Sequence, residues 1–130
     1  MTLSDLIIDV DKITEETLES ALKGYVGYDP SQRIIILTPE GRKLNQINKV
    51  LVFLLAQKGW KFVIKEGEPP QEGLKPKDLG KLLSLGDSIR PVLKKIKDKG
   101  LIYLQKDGAY VIPNNMVLEV IDTLKKGNNG

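Results

Sequence analysis

The side chains able to do chemistry in this sequence are mostly cations set at helical spacing. Arg90, Lys94, Lys95 and Lys97 stand between Ser88 and Gly100, with Lys77 ahead of them and Lys106 behind. A guanidinium can pair its hydrogen bonds with a guanine edge, and lysine ammonium groups suit phosphates as mobile point charges. This is the chemistry of binding a polyanion. Covalent and acid–base chemistry has far less to draw on, because the chain contains no histidine and no cysteine. Imidazole dyads and triads, thiolate nucleophiles, Cys/His zinc sites and disulfides are all excluded. The remaining carboxylates, lysines and hydroxyls form no catalytic constellation, so neither an enzyme nor a cofactor is expected. Asp9 and Asp11 come nearest to metal-ligand spacing. Two carboxylates without a third ligand make a weak hard-cation site, and no metal is expected.

The charge is unevenly distributed. Of 130 residues with a net charge of +3, residues 1–41 hold three Lys/Arg against eight Asp/Glu, a net −5. Residues 42–112 hold fifteen against seven, a net +8, and residues 113–130 balance. A polyanionic partner for the central segment would release condensed counterions as its phosphates are neutralised. Solvated lysines from a lysine-rich proteome would give the same excess. Apolar residues make up 41% of the chain, enough for a core in one domain with an extension. The longest apolar stretch, residues 50–56, falls well short of the roughly 20 residues of a membrane span. The start of the chain has no basic cluster followed by an apolar run. A cytoplasmic protein without a membrane partner is therefore expected.

Several elements must position the cations. Leu79, Leu82 and Leu83 recur at helical spacing, Gly86 permits a bend, and Ile89, Val92, Leu93 and Ile96 begin a second stripe of the same period. Pro76 and Asp78 suit the start of the first helix, and Asp87 or Ser88 the cap of the second. The second helix thus seats an apolar face and turns Arg90 and Lys94 outward. After Gly100, Lys106-Asp107-Gly108 separates two alternating runs, which predicts a hairpin over residues 103–111 with a type I′ turn. Upstream, Thr38-Pro39 opens a helix expected to run to Lys58, apolar nearly all round from Val50 to Ala56. The alternation in Trp60–Lys65 reads as a strand, and residues 66–73 as an exposed connector. Ser4 could cap a short helix through Leu6, Ile7 and Val10, and Thr14 a second to about Lys23. Tyr25–Leu37 reads as a hairpin turning at Asp29-Pro30-Ser31, its continuous Ile34–Leu37 run implying cover on both faces. Met116, Val117, Val120, Ile121 and Leu124 predict a last helix over residues 114–126, with residues 127–130 a frayed tail.

The run KPKDLGKLLSLGDSIRPVLKKIKDKGLIYLQKDGAYVIP is similar to the winged helix-turn-helix superfamily, a resemblance that spans about Pro39 to Pro113. A shorter phrase, RIIILTPEGRKL, resembles the strand that leaves a wing and enters the next helix in winged-helix regulators of the multiple-antibiotic-resistance and phenolic-acid-repressor types. Residues 14–41 could then be a reduced first winged unit, or simply a helix and hairpin packed beside the main domain. The resemblance implies an α+β, mostly α fold: an acidic helix and hairpin extension over residues 1–38, a winged helix-turn-helix with a two-to-three-stranded wing sheet over 39–113, and a C-terminal helix. It implies a double-stranded DNA-binding transcriptional regulator, with the 88–99 helix in the major groove and the 103–111 hairpin as wing. Ser88, Arg90, Lys94 and Lys106 match the contact positions, and Lys77, Lys95 and Lys97 add phosphate contacts. Pro91 on the exposed face and Asp107 at the hairpin tip depart from the pattern. A homodimer through the C-terminal or central helix accompanies this reading. A winged-helix protein-interaction module and an RNA-binding or ribosome-associated protein are the alternatives.

Overall fold

A helix that is apolar on nearly every side must be surrounded, and the architecture follows from that requirement. This helix, α3 (Gln46–Lys58), buries every residue from Val50 to Lys58. The computed structural model describes residues 2–6 and 10–128, in an α+β arrangement that is mostly helical with two short hairpins. Packed around α3 are α1 (Val10–Leu22), the hairpin β1 (Val26–Asp29) and β2 (Ile34–Leu37), α6 (Ile89–Asp98) and α7 (Val117–Asn128). One apolar cluster runs through all of them, from Leu18 and Leu22 to Val120 and Leu124. The central helix therefore finds its cover within the chain.

Local chemistry explains where the elements differ from expectation. Thr14 is not a cap: α1 begins at Val10 and Thr14 lies inside it. Ser4 lies inside a short helical turn, Leu3–Leu6, rather than capping one, while Ile7 and Asp9 fall outside the described residues. Asp29 does make the first turn, its Oδ1 accepting from Ser31 N at 3.1 Å, Gln32 N at 3.2 Å and Ser31 Oγ at 2.8 Å. These donors, the Ser31 hydroxyl foremost, hold the carboxyl below its usual range. The hairpin it closes is covered on one face only. Ile35 and Leu37 turn inward, whereas Ile34 and Ile36 are 41% and 46% exposed. The predicted continuous helix from Pro39 is instead α2 (Pro39–Arg42), a break, and α3. Thr38 caps α2 through Gly41 N, but Asn45 interposes a second cap, accepting from Asn48 N at 2.8 Å.

Trp60–Lys65 is not a strand. Gly59 stays in the right-handed helical region and the chain takes one further turn, α4 (Trp60–Val63). Trp60 is buried there, its Nε1 donating to Gln57 Oε1 at 3.2 Å and its ring set edge-on to Tyr28 at 4.9 Å. Burial, with no partner strand to pair its backbone, decides the helical outcome. Residues 66–73 are likewise more than a connector. Gln57 Nε2 donates to Gln71 O at 2.7 Å, and Arg33 to Glu68 O at 2.7 Å. Lys58, only 1% exposed, donates to Asn114 Oδ1 and lies 3.5 Å from Glu72 Oε1. Desolvation lowers its pKa, against the pull of Glu72.

Beyond this loop come α5 (Pro76–Leu82), α6 and a hairpin of β3 (Tyr103–Leu104) with β4 (Tyr110–Val111). Leu74 adds a third line to it, exchanging both backbone hydrogen bonds with Tyr110 at 2.9 and 2.7 Å. The last helix is entered by a helical turn at Asn114–Met116 and continues to Asn128, past the expected end at residue 126.

Candidate nucleic-acid interface

The joint between α5 and α6 places the cations. Leu79, Ile89, Val92, Leu93 and Ile96 are buried as their spacing predicts. The end of α5 is a paired motif in which Leu85 N donates to Gly80 O at 2.8 Å and Ser84 N to Lys81 O at 3.3 Å. Ser84 carries the left-handed turn at φ 57°, ahead of Gly86 at 54°. The bend thus starts two residues before the glycine that signals it. Gly80 is what lets the bend close. A Cβ built there would stand 2.5 Å from Gly86 O, 3.2 Å from Gly86 C and 3.3 Å from Ile89 Cγ2.

Neither Asp87 nor Ser88 caps α6. Ser88 already has helical angles and makes no capping bond, because a helical turn over Gly86–Ser88 feeds directly into the helix. Pro91, the third residue of α6, falls in the first turn of the helix, where proline is tolerated.

Three cations gather at this joint. Lys77 and Lys81 from α5 and Arg90 from α6 line one cleft of about 340 Å³, with Asp87 the acid among them. In the sequence Lys81 looks like any solvated lysine on a short helix, and only the cleft distinguishes it. At about 100° per residue, Arg90, Lys94 and Lys97 lie within roughly 60° of one another on α6. Lys95 falls on the opposite flank, roughly 140° from Arg90, and the outermost crest belongs to Asp98, with Lys94 and Pro91 roughly 30° to either side of it. Three of the four cations therefore share the Arg90 side of the helix, with Lys95 across the crest from them. Ser88, Arg90, Lys94, Lys95 and Lys97 are all exposed. Among the described residues none of Lys77, Lys81, Arg90, Lys94, Lys97 and Lys106 takes part in an ion pair.

Lys106 stands exposed at the tip of the β3–β4 hairpin. The turn beneath it is not type I′, since Lys106 and Asp107 keep negative φ and only Gly108 is positive, at 90°. Gly108 N donates to Gln105 O at 3.0 Å and Gln105 N to Ala109 O at 2.8 Å, a type I turn with a one-residue bulge. Asp107 Oδ1 accepts from Ala109 N at 3.0 Å. The acid at the tip has a structural use within the turn. Tyr103 on the same hairpin is 58% exposed.

Among the described residues no three acids, cysteines or histidines converge as metal ligands, and no helix is long and apolar enough to cross a membrane. Comparison of the chain with protein-family models, curated proteins and solved structures finds no match.

Proposed function

We propose that this chain is a cytoplasmic, non-enzymatic, double-stranded DNA-binding protein of winged helix-turn-helix architecture, acting in transcriptional regulation. In this reading α6 lies in the major groove and the β3–β4 hairpin is the wing. The observation that carries it is the convergence of Lys77, Lys81 and Arg90 from two helices at one joint, free of ion pairs among the described residues. Two rigid elements fix these charges relative to each other, as phosphate positioning requires. Arg90 and Lys94 continue along the α6 flank as base-edge and phosphate contacts, and Lys106 adds a contact from the hairpin tip. The Leu74–Tyr110 bridge, which brings a third backbone line to the hairpin, also favours the wing assignment. A homodimer would use α7, where Leu118 is 68% exposed while its neighbours Val117, Val120 and Ile121 are buried.

Anisotropy titrations of labelled mixed-sequence duplex DNA and single-stranded RNA test the reading, with the parent beside Lys77→Gln/Lys81→Gln. Duplex binding that weakens with salt, and weakens further in the double variant, is the expected result. Absence of salt-sensitive binding near physiological ionic strength refutes it, and a preference for the RNA moves the chain to an RNA-binding role. Exposed Tyr103 and Leu118 favour a second reading as a protein-interaction module. That reading predicts no duplex binding at all.

A further inference from the structure

A second cleft, sharing no lining residue with the one that holds Lys77, Lys81 and Arg90, lies where β2, α3 and the end of α5 meet. Its volume is about 370 Å³, at the lower end of the roughly 300–1,000 Å³ of ligand-binding clefts. Ile35 and Leu37 from the inner face of β2 and Phe53 from α3 make its floor, and Leu82 its wall. Leu82 is 52% exposed, although its helix neighbours Leu79 and Leu83 are buried. Arg42 and Lys49 supply the charge, no carboxylate lines the cleft, and neither cation is in an ion pair among the described residues. The combination is an apolar slot with a purely positive lining.

We infer that this cleft is a docking site for an acidic amphipathic peptide segment of a partner protein, whose bulky apolar side chains fill the slot while its carboxylates meet Arg42 and Lys49. Charge complementarity selects an acidic partner over a basic one. The floor selects peptide over nucleic acid, since a phosphate backbone would engage the two cations and leave Ile35, Leu37 and Phe53 without an apolar occupant. Leu82, half exposed at the wall, supplies apolar surface that the bound segment would cover. The site works independently of the DNA-binding reading, because it uses none of the residues assigned to that face.

Amide chemical shifts of the full-length protein, followed during titration with synthetic peptides, test the inference. One peptide is a helix-forming sequence with Leu and Phe on one face and Glu on the flanks; the second replaces every Glu with Lys. The acidic peptide should shift Ile35, Leu37, Phe53 and Leu82 selectively, and the basic one should not. Arg42→Glu/Lys49→Glu should weaken the acidic peptide by about tenfold or more, and Leu82→Asp should do the same through the wall. Arg42 and Leu82 are exposed and Lys49 half-buried, and retained shift dispersion checks that the variants fold. Failure of the acidic peptide to shift the cleft at millimolar concentration overturns the inference, as does equal binding of the basic one. Shifts at the cleft caused by duplex DNA instead, or by self-association without peptide, also overturn it by assigning the slot to another occupant.

Discussion

Replacing Gly80 with alanine should destabilise the protein, although the position is helical and alanine is the better helix former. In an exposed helix interior the exchange would contribute about 1 kcal/mol of stability. Here the added Cβ would stand 2.5 Å from the Gly86 carbonyl oxygen, a backbone atom that no rotamer change can move aside. Relief requires the α5–α6 bend to open, which strains the Leu85 N to Gly80 O hydrogen bond and shifts Ile89 in the core. Overpacking of this kind costs roughly 1–3 kcal/mol, and a strained hydrogen bond about 1 kcal/mol more. The net expectation is a loss of roughly 1–3 kcal/mol, and for a chain of this size a fall of roughly 4–11 °C in Tm. Urea denaturation monitored by Trp60 fluorescence gives the free energy directly, with an unchanged m-value as the sign that only stability has moved. A Gly80→Ala variant more stable than the parent by about 1 kcal/mol would show that the close approach does not constrain the bend. Because the same approach sets Arg90 against Lys77 and Lys81, the variant should also bind duplex DNA more weakly.

Other expectations are more local. Ser84→Gly should raise stability by about 0.5–1 kcal/mol, because a left-handed φ of 57° strains a residue that has a Cβ, and urea midpoints will read the sign. Lys94→Ala should reduce the log–log salt slope of duplex binding by about one, whereas Lys95→Ala, on the far flank, should leave it nearly unchanged; equal effects would refute the one-flank assignment. Tyr28, which donates to Ala56 O at 2.6 Å, has its pKa pushed up by burial from 10.0 to about 12. A raised folded-state value holds its stabilising contribution fully below pH 10 and loses it as pH climbs toward 12. Tyr28→Phe should therefore cost about 1 kcal/mol at neutral pH and flatten the alkaline decline. Lys58 acts in the opposite direction. Its lowered folded-state pKa penalises folding at neutral pH, and the penalty is relieved as pH rises through that value toward 10.5. A Lys58→Met variant followed by pH-dependent denaturation should lose that alkaline gain.

The part of the site that could be read from sequence is the part built by one helix. The apolar spacing of Ile89, Val92, Leu93 and Ile96 settles which side of α6 is buried, and so which cations face outward. Lys81 escaped notice because its importance depends on a neighbour from another helix. The turn at Ser84 escaped because a serine carries no signal for positive φ; only the packing of α5 on α6 demands it there. Trp60–Lys65 misled for a related reason, since a short alternating run satisfies a strand and the first turn of a helix alike.

By itself the sequence determined the elements with strong periodicity or cap chemistry, the absence of imidazole and thiol chemistry, and the concentration of positive charge in the central segment. Helix stripes, the Thr38 cap and the Asp29 turn are encoded within a few residues, so they can be read locally. Only the tertiary structure decided which cations share a cleft, that Lys58 is buried against Asn114 and Glu72, and that the apolar central helix is covered by its own chain. Those outcomes depend on groups far apart in sequence meeting in space, where desolvation and steric fit act on pairs of elements rather than on any single segment.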